Sequence, residues 1–221
     1  MTSPSTPLVL AESLSIRLGG TEVIRDVDLA VRPGADVAVT GRSGSGKTTL
    51  LLALAGLIPV TGGRITWPGL LQGSQPPRGR IGLVFQAPSL VPELSAQENV
   101  TLPLRLSGVD LLAARAAATS ALALLGVLDC AEALPAQLSG GQQQRIAVAR
   151  ALAGGHQLVL ADEPTGALDR GHAHEVVRAL IDGVRAAGGA LLLATHDPEL
   201  ADMLDERVVV DEGLLVQGAP R

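Results

Sequence analysis

The segment Gly41-Arg42-Ser43-Gly44-Ser45-Gly46-Lys47-Thr48-Thr49 constrains the fold of this chain more than any other. It follows the pattern Gly-x-x-x-x-Gly-Lys-Thr, a phosphate-cradling loop that works only between a strand and a helix. Both neighbours are in place. Pro33-Gly34 turns the chain into Asp36 to Thr40, a short apolar strand, and Thr49 to Gly56 reads as a helix. The glycines let backbone N–H groups curl around a β-phosphate, Lys47 reaches the β/γ oxygens, and the Thr48 hydroxyl suits magnesium.

The rest of the sequence fits an α/β frame. Leu8 to Leu18 reads as an early strand, and Val27, Leu29 and Val31 alternate with Asp28, Ala30 and Arg32 as a half-exposed one. Arg64 to Trp67 and Arg80 to Phe85 are further strands, separated by a polar Gly/Pro linker. From Ala87 to Ala153 the character turns helical. Leu111 to Leu125 is rich in alanine and leucine, with Gly126 and Pro135 as punctuation. Gln157 to Ala161 and Ala190 to Ala194 are continuous apolar strands with a helix, Glu175 to Ala187, between them. Such strands alternating with helices mark a parallel sheet covered on both faces. Val208 to Asp211 and Leu214 to Gln217, around Glu212-Gly213, form a closing hairpin.

Bulk properties narrow the function. The chain has 221 residues, 47% of them hydrophobic, ample for a buried core. A net charge of −5 argues against a nucleic-acid partner, since such domains carry a basic face. Cys130 stands alone, so no intrachain disulfide forms, and a reducing compartment fits. The most apolar run, Leu50 to Val60, falls far short of the roughly 20 residues that span a bilayer. Met1 to Pro7 is Ser/Thr/Pro-rich and reads as a tail, not a signal peptide. Work on membranes would need other chains to supply the membrane part.

Asp162 closes the strand that begins at Gln157. Ligands of open α/β sheets sit beyond the carboxyl ends of strands, so this carboxylate is expected to face the phosphates and hold Mg²⁺. Glu163 follows at once, and Pro164 after it predicts an extended backbone at Glu163. His156, His172 and His174 read as surface residues.

A second glycine-bearing segment, Leu138-Ser139-Gly140-Gly141-Gln142-Gln143-Gln144-Arg145, precedes Leu158-Val159-Leu160-Ala161-Asp162-Glu163-Pro164. Ser139 is placed to cap a helix whose bare glycine N–H groups can meet an anion. Together with the phosphate loop, these strings resemble the ATP-binding cassette (ABC) ATPases. The resemblance covers nearly the whole chain, with the motifs in the family's order. It implies a P-loop NTPase (RecA-like) core at residues 8–86 and 154–221, with a mainly parallel sheet and an N-terminal antiparallel β subdomain. An α-helical signature subdomain is inserted at 87–153.

The resemblance also implies roles. Glu163 matches the catalytic glutamate that polarises the attacking water, and His196 in Thr195-His196-Asp197 the switch histidine on the γ-phosphate. Gln86 matches the glutamine that contacts the metal or water and couples nucleotide state to the membrane subunit. Asp169 in Ala167-Leu168-Asp169 matches the segment that crosses the dimer interface. Ser139, Gly140, Gly141 and Gln142 serve the ATP of a second copy, so a head-to-tail dimer around two Mg·ATP is implied. Glu98-Asn99-Val100, Leu102-Pro103-Leu104 and Thr195-His196-Asp197-Pro198-Glu199-Leu200 are similar to the macrolide-exporter and lipoprotein-releasing branch. That branch implies separate transmembrane permease subunits, a place at the cytoplasmic face of the membrane, and export or extraction of a lipophilic or peptide cargo. A non-transport ATPase regulating a membrane partner shares the same motifs. A DNA-repair or chromosome ATPase is disfavoured, because no heptad coiled coil lies between Thr49 and Leu138. A tandem translation factor would need two cassettes in one chain.

One position departs from the family. Its usual adenine-stacking aromatic, most often Tyr, falls at Leu18 in Arg17-Leu18-Gly19-Gly20, and the chain has no Tyr at all. Weak discrimination between bases is the expectation.

Overall fold

The computed structural model describes residues 6–70, 77 and 79–217. Residues 1–5 of the expected tail, and 71–76 and 78 of the expected linker, lie outside these. Two sheets carry the chain. Strands β1 (Val9–Leu18), β2 (Thr21–Val31) and β4 (Gly62–Thr66) form an antiparallel sheet in the order β2-β1-β4. A six-stranded sheet has the order β5-β6-β7-β3-β8-β9. Its members are β3 (Asp36–Thr40), β5 (Ile81–Val84), β6 (Leu158–Asp162), β7 (Ala190–Ala194), β8 (Glu206–Asp211) and β9 (Leu214–Gln217). All its pairings are parallel except β8 with β9, the closing hairpin.

The unbroken apolar strands have a direct cause. In β6, Leu158 and Leu160 enter one core, while Val159 and Ala161 enter the other. In β7, Leu191 and Leu193 face one side and Ala190, Leu192 and Ala194 the opposite one. Successive side chains point to opposite faces, so a strand buried on both must be apolar throughout. Helix α1 (Lys47–Leu54) covers one face with Leu50, Leu51 and Leu54. Helices α4 (Gly140–Ala153) and α5 (Arg170–Ala186) cover the other. Truncating a fully buried leucine such as Leu160 to alanine would cost about 2–5 kcal/mol.

Helices α2 (Ala96–Leu106) and α3 (Leu111–Leu124) pack on each other and on α4. Each starts at a side-chain cap. Ser95 and Glu98 form a reciprocal capping box, and the Asp110 carboxylate accepts from the N–H groups of Leu112 and Ala113. Short 3-10 turns at Leu128–Cys130 and Pro135–Gln137 lead into α4. Helix α5 begins at Arg170, earlier than its apolar pattern at Glu175, because Asp169 caps it through the His172 N–H. The short helix α6 (Pro198–Ala201) follows β7.

The two sheets are stitched at the β8–β9 turn. Gly213 accepts from the Arg25 N–H at 2.8 Å and has φ +81, and a Cβ there would fall 2.5 Å from the Val23 carbonyl oxygen. Asp36, wholly buried at the start of β3, takes Arg185 of α5 at 2.6 Å, and Arg185 also reaches Asp205 at 2.6 Å. Burial pushes the Asp36 carboxyl above its usual range, against the pull of Arg185.

Candidate active site

Two glycines of the phosphate loop are there because nothing larger fits. Gly41 has φ +145, and a Cβ on it would stand 2.2 Å from the Val210 carbonyl oxygen. Gly46 has φ +111, with the Val23 carbonyl oxygen 2.9 Å from where its Cβ would be. Gly46 caps α1 with no side-chain bond, so the first-turn N–H groups, which have no intrahelical acceptor, are presented to the loop. The Lys47 ammonium lies across the loop, donating to the carbonyls of Gly41 at 3.0 Å and Arg42 at 3.2 Å.

Thr48, on the first turn of α1, donates its hydroxyl to Asp162 Oδ2 at 2.7 Å. The other oxygen, Asp162 Oδ1, is buried without a hydrogen-bond partner. Burial pushes the Asp162 carboxyl up and Glu163 adds to that, while Thr48 and Lys47 pull the other way. A desolvated carboxylate with a free lone pair beside a hydroxyl suits a hard cation, so the residues present fit Mg²⁺.

Glu163 corrects the expectation drawn from Pro164. Its backbone is not extended but left-handed, with φ +45. The Glu163 N–H donates to Ala194 at the end of β7 at 3.0 Å, and its carbonyl accepts from Gly166 at 3.3 Å. This turn keeps Glu163 out of the right-handed region that proline forbids, by a route the local rule does not name. Its carboxylate then meets His196, whose Nδ1 is 3.0 Å from each oxygen. Thr195 and Asp197 fix the histidine's backbone, Thr195 by bonding Val39 and accepting from the Asp197 N–H, and Asp197 by capping α6.

These groups share one cavity of about 380 Å³ at the carboxyl ends of the central strands. Ser43, Gly44, Lys47, Thr48, Gln86, Asp162, Glu163 and His196 line it, together with Gly166. Gly166 lies in the string from Ala161 to Asp169 that resembles the family, but the sequence alone does not mark it as a site residue. A second cavity of about 540 Å³ shares Glu163, Gly166 and His196 and extends along Thr165, Leu168 and Arg170.

Ser139 to Gln142 line neither cavity. Ser139 caps α4 as expected, its hydroxyl accepting from the Gln142 N–H at 3.2 Å and the Gln142 Oε1 accepting from the Ser139 N–H at 2.8 Å. The Gln142 amide nitrogen donates to Cys130 Sγ at 3.2 Å, so both ends of that amide are engaged within the chain. The glycines also have a packing reason. A Cβ at Gly141 would stand 3.1 Å from Leu168 Cδ2, and one at Gly140 would be 3.8 Å from Ala167. Asp169 accepts from the His172 N–H, and its Oδ2 lies 2.5 Å from His172 Nδ1.

His156 is a second correction. It is not a surface residue but half-buried, its Nδ1 shielded without a partner and its ring filling a slot left by Gly82 and Gly154. His172 is exposed, as expected.

The sequence profile of the family described as "ABC transporter" matches residues 24–166. Lipoprotein-releasing system ATP-binding protein LolD 1 of Rhodospirillum rubrum is 43% identical over 201 residues, 88% of this chain and 89% of that protein. Macrolide export ATP-binding/permease protein MacB of Chromobacterium violaceum is 41% identical over 207 residues, 90% of this chain and 32% of that longer protein. Among solved structures, the dimeric post-hydrolysis state of the ATP-binding cassette MJ0796 bound to ADP and Pi superposes with a TM-score of 0.86. It is 30% identical, over 96% of this chain and 98% of the other.

Proposed function

This chain belongs to the ABC transporter family as an ATP-hydrolysing subunit, and on that footing we propose that two copies close head to tail around two Mg·ATP. Each site joins one copy's Gly41–Thr49 loop to the other copy's Ser139–Gln142. The dimeric cassettes among the structural neighbours support the pairing. So does the position of Ser139 to Gln142 outside their own chain's phosphate cavity.

The observation that carries the reading is the meeting of two pairs, Thr48 with Asp162 and Glu163 with His196, in one cavity beside Lys47. Thr48 and Asp162 would hold Mg²⁺, and Gln86 lines the same cavity. When bound, the ion would supply positive charge against the phosphate oxygens. Lys47 does the same from the loop side. Glu163 orients a water for in-line attack and draws its proton, and His196 holds that carboxylate at the γ-phosphate. Ser139 Oγ and the Gly140 and Gly141 N–H groups of the opposing copy complete the charge stabilisation, which is the larger part of catalysis here. Gln142 contributes as the brace of that helix end, its amide being engaged with Ser139 and Cys130.

Closure on ATP and reopening after hydrolysis drive separate membrane subunits from the cytoplasmic face. Among the described residues no helix is long and apolar enough to cross a membrane. Leu106 and Leu112 are 80% and 79% exposed where α2 passes to α3, with Leu102 and Leu111 beside them in sequence, which suits docking of an apolar partner. Relatives named for lipoprotein release and macrolide export point to outward movement or extraction of a lipophilic or peptide cargo.

Phosphate release by the purified full chain tests the reading. Hydrolysis is expected to require Mg²⁺ and to vanish in Lys47→Ala together with binding of a fluorescent nucleotide. Nucleotide binding that survives Lys47→Ala unchanged would refute it.

A further inference from the structure

Between β5 and α2 the chain runs from Phe85 to Ser95 without regular structure, and side chains of two helices take up its backbone carbonyls. Gln144 of α4 donates to the Phe85 carbonyl at 3.3 Å. Arg150, six residues on, donates to the Pro88 carbonyl at 3.0 Å and the Ser89 carbonyl at 2.9 Å. Asn99 of α2 fixes the far end, accepting from the Val91 N–H at 2.7 Å and donating to the Leu94 carbonyl at 2.9 Å. Gln86 therefore sits between two anchor points, and both belong to α4, the helix that Ser139 caps.

The chemistry of the anchors is costly for mere packing. Gln144 is wholly buried, and its Oε1 has no partner, a penalty that an apolar side chain would avoid. Arg150 is partly buried, and among the described residues it makes no ion pair. Burial pushes its guanidinium below the usual arginine range. A charge held only by neutral carbonyls gives up hydration for geometry. The planar fork of arginine fixes two successive carbonyls at once, which a flexible cation does not.

We propose that Gln144 and Arg150 are positioning residues for Gln86, and that α4 is a rigid link between the partner's nucleotide and the Gln86 segment. This rests on the reading that Gln86 serves the nucleotide site, in whose cavity it lies. Ser139 at the head of α4 meets the opposing copy's ATP, and Gln144 and Arg150 along its body hold the strand end and loop on either side of Gln86. A shift of α4 on dimer closure then moves Gln86 in its own copy, so each copy's alignment depends on engagement with the other's nucleotide.

The test is a pair of double-mutant cycles on the full chain, reading kcat and KM for Mg·ATP and affinity by fluorescent-nucleotide titration. Gln144→Met and Arg150→Lys keep size or charge but lose the carbonyl grip. Each is expected to lower kcat about tenfold with nucleotide affinity within about twofold, and to add little once Gln86→Ala is present. Losses that multiply onto Gln86→Ala, or a kcat unchanged in both single variants, would overturn the proposal while leaving the role of Gln86 intact. If Gln86→Ala alone leaves kcat unchanged, the reading of Gln86 fails and the positioning role with it. Thermal unfolding confirms that each variant is folded at the assay temperature. Should Gln144→Met fail that check, the Arg150→Lys cycle decides alone.

Discussion

His196 Nδ1 lies 3.0 Å from both carboxylate oxygens of Glu163, although the two residues are 33 positions apart in sequence. The contact exists because β6 and β7 are parallel neighbours in register, Asp162 opposite Ala194, so the residues that leave each strand emerge side by side. If Glu163 handles the water and His196 holds it in place, the two substitutions separate. Glu163→Gln should abolish phosphate release while ATP still binds. His196→Ala should lower kcat on the order of a hundredfold with KM little changed. Steady-state kinetics reads both.

Asp162 predicts a trade between stability and activity. Burial raises its carboxyl pKa, so the native chain holds a proton that the unfolded chain has already lost. Stability therefore falls as pH rises from the ordinary carboxyl range through the raised native pKa. Asp162→Asn removes the charge and should raise the melting temperature at pH 7 by about 2–4 °C if it recovers about 1 kcal/mol. Mg²⁺-dependent hydrolysis should be lost in the same variant. Adding Mg²⁺ with ADP should stabilise the native chain strongly and Asp162→Asn weakly, as differential scanning fluorimetry would show.

His156 sets an acid limit. Burial lowers its pKa below 6.5, opposed by the Gly79 backbone. Below pH 6.5 the unfolded chain binds a proton that the native imidazole refuses, so this contribution is intact above 6.5 and is lost as pH falls toward the native value. His156→Leu should flatten the fall in melting temperature as pH drops below 6.5. An unchanged slope in that variant would remove His156 as the cause.

Base selectivity should be poor. Leu18, 45% exposed at the end of β1, stands where the family resemblance places an adenine-stacking aromatic. Neither remaining large aromatic is a ready substitute. Trp67 is buried with its indole N–H on the Leu54 carbonyl at 2.9 Å, and Phe85 follows the last residue of β5. Comparable kcat/KM for ATP and GTP is expected, and Leu18→Tyr should tighten ATP by on the order of tenfold through base stacking. Strong ATP preference in the native chain would count against it.

What the sequence disclosed depended on whether the cause was local. Strand β7 was legible at its ends because residues buried on both faces must be apolar without a break, and β3 because its apolar middle lies between the Pro33-Gly34 turn and the phosphate loop. The phosphate loop was legible because its glycines, lysine and threonine act at fixed offsets. The cap at Ser139 was equally local. The turn at Glu163 was not, since a bond to Ala194 on another strand overrides the rule set by Pro164. The burial of His156 depends on Gly82, distant in sequence and opposite it in space. The engagement of Gln142 with Cys130, and of Gln144 and Arg150 with the loop around Gln86, likewise joins residues whose proximity only the packed helices create.

The most direct test of the shared nucleotide site is the mass of the Glu163→Gln chain in solution, measured by light scattering with and without Mg·ATP, alone and combined with Ser139→Arg. ATP should double the mass of Glu163→Gln, and Ser139→Arg should keep it monomeric while its phosphate loop still binds nucleotide. A chain that stays monomeric with ATP bound, or a dimer indifferent to Ser139→Arg, would contradict a site completed by the second copy.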